Sequence, residues 1–172
     1  MKAAPAIGVV LGAVLLQIVL ARFAIGGRMT FDLVLVGVVF VALQAGPVPG
    51  MLAGTIGGLV LDLFSGGVVG VGGLLKTLIG YFAGLLGTRL VVAKPYARAA
   101  IVGAATLVHG FIAVTLGTVI DGWSGIPWPA MLWETAMNTV AGYIAFLAIE
   151  AMPGAVGRGR TRQRSAWSRR QW

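Results

Sequence analysis

The sequence predicts an all-α polytopic membrane protein with about six transmembrane helices. Three observations carry that reading. Of the 172 residues, 58% are hydrophobic and only 10% charged, whereas a soluble domain carries about 25% charged residues. The mean hydropathy is +0.94. Charged residues do not scatter; they punctuate apolar runs long enough to cross a hydrocarbon core of about 30 Å. The 27 glycines fit the same class, because glycine lets membrane helices approach closely. With no cysteine present, disulfides, thiolate metal sites and cysteine nucleophiles are excluded.

The elements follow in order. After Lys2, an uncharged run from Ala3 to Ala21 exceeds a signal-peptide core and predicts a retained first span over 4–21. Arg22 to Asp32 is a polar break. Leu33 to Leu61 is uncharged, and as one helix it would measure about 43 Å, too long for a single span. "GPVPG" at Gly46 to Gly50 divides it, giving spans over 31–46 and 48–64. One long kinked helix is the competing reading.

"FSGGVVGVGG" (Phe64 to Gly73) is a glycine-rich turn that opens a fourth span over 70–91. Arg89, Lys94 and Arg98 mark the next loop, and Ala99 to Ile120 gives a fifth span over 99–120. "DGWSGIPWP" (Asp121 to Pro129) is a loop carrying interfacial tryptophans, and a sixth span follows over 128–150. The chain thus divides into a membrane domain over 1–152 and a basic tail over 153–172. The tail has no apolar periodicity and is expected to be disordered.

Six of the 13 basic residues are Arg158, Arg160, Arg162, Arg164, Arg169 and Arg170, which place the tail in the cytoplasm. Six spans then put both termini there. Counting charges alone slightly prefers five spans; segment length and "GPVPG" favour six. Directly after a span, an arginine run is expected to hold anionic headgroups of the inner leaflet. The same electrostatics would serve a nucleic acid, the weaker reading.

Within the spans, small residues recur at four-residue spacing: Gly50, Gly54 and Gly58; Gly80 and Gly84; Ala4, Gly8 and Gly12. Such stripes allow close helix packing, either inside the bundle or against another membrane protein. Asp62 continues the first stripe. Intramembrane ionisable residues face the bundle interior and find partners. Asp62 and Lys76 flank one turn at similar depth and are expected to form an ion pair; separate partners and a proton or ion relay are the alternatives. His109 stands alone in mid-span and is expected to hydrogen-bond another helix. Glu134, Asn138 and Gly142 form a further stripe, suited to interhelical hydrogen bonds or to lining a small-ligand site. No nucleophile elbow, paired-histidine motif or phosphate-binding loop occurs, so neither an enzyme nor a metal or cofactor is expected.

One resemblance joins these pieces. "LQ" at Leu16–Gln17, the "GPVPG" hinge, the run "GLVLDLFSG" over 58–66 and "GY" at Gly80–Tyr81 together resemble the rod-shape-determining protein family MreD. Asn138 matches an asparagine of that family, whereas the arginine and tryptophan tail is outside its pattern. The resemblance implies a non-enzymatic subunit of the cell-elongation machinery in the bacterial inner membrane, supporting peptidoglycan synthesis along the side wall. It implies MreC as direct partner, and MreB and the RodA–penicillin-binding-protein synthase as indirect ones. It also implies a fold similar to the substrate-binding subunits of energy-coupling-factor transporters, which makes a vitamin-like small-molecule site the rival function.

Overall fold

A computed structural model describes residues 3–21, 31–65, 69–89, 94–121 and 125–151. The arginine tail, Lys2, Arg22, Arg28 and the centre of the Phe64–Gly73 turn lie outside the described residues. The described residues form six helices: α1 (Ala3–Ala21), α2 (Leu33–Ala45), α3 (Pro47–Ser65), α4 (Val71–Arg89), α5 (Pro95–Asp121) and α6 (Trp128–Ala151). Four are long and apolar enough to cross a membrane, over Pro47–Phe64, Val71–Arg89, Pro95–Val119 and Trp128–Ala151. Ile7–Leu20 and Leu33–Ala45 are shorter apolar helices.

The run from Leu33 to Leu61 is two helices, not one kinked helix. Gly46 alone separates them, with φ of +96°, a conformation open to glycine and costly for residues with a Cβ. Its N–H donates to the Ala42 carbonyl at 2.9 Å and closes α2, while its own carbonyl accepts from Gly50 at 3.1 Å and starts α3. Pro47 as the first residue of α3 needs no N–H partner.

Neighbouring residues give the packing directions. Gly37 of α2 lies against Ala13 and Val9 of α1 while Val34 bonds Gln17, so α1 and α2 are antiparallel. Gly50 faces Gly80, Gly54 faces Lys76 and Gly58 faces Gly73, so α3 and α4 are antiparallel. Gly110 faces Met131 and Gly142 faces Val102, so α5 and α6 are antiparallel as well. Asp32 meets Asn138 and Phe40 stacks on Phe146, so α2 and α6 run the same way. The six helices therefore alternate in direction. The starts of α2, α4 and α6 share one end of the bundle.

α2 is the axis. Every residue from Val34 to Ala42 is buried, and α2 packs against all five other helices. A helix apolar on every side belongs in a core. The outward faces of the other helices carry Leu11, Leu15, Leu63, Phe82, Phe111 and Ile144, all exposed, as a lipid-facing surface requires.

Candidate functional site: a buried polar lock at the start of α2

α2 has 13 residues and spans about 20 Å, so it begins inside the bundle. The first N–H groups of a helix lack partners within it, and no water is available at lipid depth. Side chains from several helices supply them. Asp32 is the N-cap, and its Oδ1 accepts the Leu35 N–H at 2.8 Å. Gln17 of α1 reaches across so that its Oε1 accepts the Val34 N–H at 2.9 Å. The Asp32 carbonyl accepts from Val36 at 3.2 Å. The Asp32 N–H in turn donates to Asn138 Oδ1 of α6 at 2.9 Å. Asn138 Nδ2 donates to Thr106 Oγ1 of α5 at 3.3 Å, and the Thr106 hydroxyl donates to the Val102 carbonyl at 2.9 Å.

The second Asp32 oxygen, Oδ2, takes the Lys76 ammonium of α4 at 2.7 Å. Lys76 is 3% exposed and Asn138 0%. A buried ion pair is tolerated only where further hydrogen bonds satisfy its remaining oxygens. Here the Leu35 N–H fills Oδ1 while Lys76 fills Oδ2. Asp32 thus ties α2, α4 and α6 directly, and Gln17 and Asn138 extend the network to α1 and α5.

The expected Asp62–Lys76 pair is corrected by this geometry. In the α3–α4 register, Gly54 lies against the Lys76 backbone. Asp62 is two turns farther along α3, about 12 Å from that level. There its Oδ2 accepts the N–H groups of Gly70 at 2.9 Å and Gly73 at 3.1 Å. It caps the start of α4 from the neighbouring helix, where the dipole favours a negative charge. Asp32 was missed as a partner because it falls at the edge of a polar break. The signal was available: an aspartate directly before an apolar run is an N-cap pattern. Thr106 and Gln17 carry no comparable sequence signal as network members.

The glycine stripes divide by role. A Cβ on Gly50 would strike Gly80, one on Gly54 the Lys76 and Thr77 backbone, and one on Gly58 the Gly73 backbone. Gly84 meets Pro47 and Gly46. These residues therefore form the internal seam between α3 and α4, reinforced by a Thr55–Thr77 hydroxyl bond of 2.8 Å. Gly8 and Gly12 of α1 are different, since an added Cβ would meet nothing within 4 Å. Of the Glu134 stripe, Asn138 and Gly142 are buried against α5. The expected bond from His109 to another helix is not made by Nε2, which is buried without a hydrogen-bond partner among the described residues. At the opposite end of the bundle, Arg98 approaches Glu150 at 3.7 Å and lies over the Phe146 ring at 5.6 Å.

Helices that alternate in direction, lipid-facing apolar surfaces and polar side chains engaged with one another define a multi-pass helical membrane protein. The family model described as "rod shape-determining protein MreD" matches residues 5–149. The chain belongs to that family of non-enzymatic, rod-shape-determining membrane proteins. No curated protein and no solved structure matches it.

Proposed function

We propose that this chain is a subunit of the bacterial cell-elongation complex in the cytoplasmic membrane, docking MreC directly and supporting side-wall peptidoglycan synthesis. MreB and the RodA–penicillin-binding-protein synthase are engaged indirectly. The family match over residues 5–149 carries the reading. The architecture supports it, because the Asp32 network and the α3–α4 seam hold the helices in one arrangement and give a partner a single fixed surface. The proposal includes six spans with both termini cytoplasmic, and the tail arginines on anionic headgroups. It also includes the likeness to energy-coupling-factor binding subunits, which the six-helix count supports.

Co-expression with MreC tests the proposal. Tagged chain, purified in mild detergent, is expected to bring MreC with it. A preparation that leaves MreC behind yet releases a stoichiometric vitamin-like molecule on denaturation, read by mass spectrometry, would replace this function with small-molecule transport.

A further inference from the structure

The core polar groups separate into engaged and unengaged. Gln17, Asp32, Lys76, Thr106 and Asn138 all have partners. Two groups beside them have none among the described residues. His109 Nε2 is fully buried with no hydrogen-bond partner among the described residues. Glu134 makes no ion pair or hydrogen bond among the described residues, although it is only partly exposed. Both occupy one level of the antiparallel α5–α6 pair. Thr106 meets Asn138 on one side of them and Gly110 meets Met131 on the other. Both also lie within electrostatic range of Asp32 and Lys76.

The chemistry of this level is specific. Asp32 and Lys76 neutralise each other, whereas an ionised Glu134 and Asp62, which is held by the Gly70 and Gly73 N–H groups, are both negative. His109 Nε2 adds a neutral group able to accept a hydrogen bond. Ionisable side chains at membrane depth take partners, and the described residues supply none for Glu134. A fitting guest brings one positive charge and several N–H donors in a small volume. A metal ion is a poor match, since no group of three or more metal-ligating residues occurs among the described residues. An ammonium group has three donors and needs only acceptors. Leu132 and Trp133, beside Glu134, are exposed on the bundle surface, so the level is reachable from the lipid side.

We propose that His109 and Glu134, held at one level of the α5–α6 pair beside the Asp32–Lys76 ion pair, form a membrane-buried site for a primary ammonium group. An aminophospholipid headgroup and a free amine are the two sources of that chemistry, and the assay separates them. The full chain is placed in phosphatidylcholine nanodiscs, whose headgroup nitrogen has no N–H to donate. Phosphatidylethanolamine is then titrated into the bilayer, or methylammonium into the buffer, with thermal midpoint and native mass spectrometry as readouts.

A saturable rise in midpoint with one retained guest is expected for the wild type. A response to the lipid alone assigns the headgroup, and a response to methylammonium assigns a soluble amine. Glu134→Gln and His109→Leu, each giving an unchanged helical spectrum in phosphatidylcholine, are expected to weaken the response by about tenfold or more through loss of a charge-assisted or neutral acceptor. No response of the wild type to either amine, or a full response in folded Glu134→Gln, would overturn the proposal. One comparison needs no variant: tetramethylammonium, which has charge but no N–H, must fail where methylammonium succeeds, and equal responses would overturn the site as well.

Discussion

Asp32 is the residue on which most of the bundle converges. Its two carboxylate oxygens, its N–H and its carbonyl all have partners, drawn from α2 itself, α4 and α6. Removing one member of a buried pair strands the other, at a cost of about 3–5 kcal/mol. Lys76→Met is therefore expected to lower thermal stability in detergent strongly. Asp32→Asn keeps a capping oxygen for Leu35 yet strands Lys76, so it is expected to be destabilising too. The double variant should recover much of the loss, because neither charge is left alone. A thermal-melt cycle over the three variants checks this, and additive losses would separate the two residues. The same cycle built on Asp62 and Lys76 should show no rescue, since Asp62 caps α4 through Gly70 and Gly73.

Between helices, the important quantity is how close two backbones come. At Gly54 the opposing atoms are the Lys76 carbonyl and the Thr77 nitrogen, which cannot rotate away as a side chain would. Gly54→Ala is expected to destabilise by about 1–3 kcal/mol, in the range of overpacked cores. Gly8→Ala provides the contrast. Nothing lies near the added methyl, and alanine in place of a mid-helix glycine gains about 0.5–1 kcal/mol. Opposite signs in one thermal assay would confirm that identical spacing serves two different environments. Spacing alone could not separate them. The stripe at Gly50, Gly54 and Gly58 and the stripe at Ala4, Gly8 and Gly12 read alike in sequence. Only the α3–α4 register assigns the first to a seam. The helix breaks were far more legible. "GPVPG" locates the α2–α3 junction to a residue, because positive φ and a missing N–H are properties of glycine and proline themselves. Pairings were the least legible. Asp32 and Lys76 meet through tertiary packing, and the Asp62–Lys76 expectation failed by two helical turns of register.

At the scale of the molecule, topology is the property most open to direct test. Val48 sits at the α2–α3 corner and is 56% exposed. The proposed orientation puts that corner in the cytoplasm. A cysteine at Val48, the only one in an otherwise cysteine-free chain, is expected to react with an impermeant thiol reagent in inverted vesicles and not in intact cells. The reverse pattern would turn the bundle over. Neither outcome disturbs the family assignment, which rests on residues 5–149.

The bond from the Asp32 N–H to Asn138 spans 106 positions of the chain. During synthesis α2 is made long before α6, so the Asp32 N–H gains its partner only when α6 arrives. Chains halted before α6 are therefore expected to leave the Asp32 N–H an open donor, while the caps from the Asp32 and Gln17 side chains can still form. Truncation after Asp121 is accordingly expected to leave α1–α5 inserted but protease-sensitive near Asp32, with protection gained when α6 is supplied as a separate peptide.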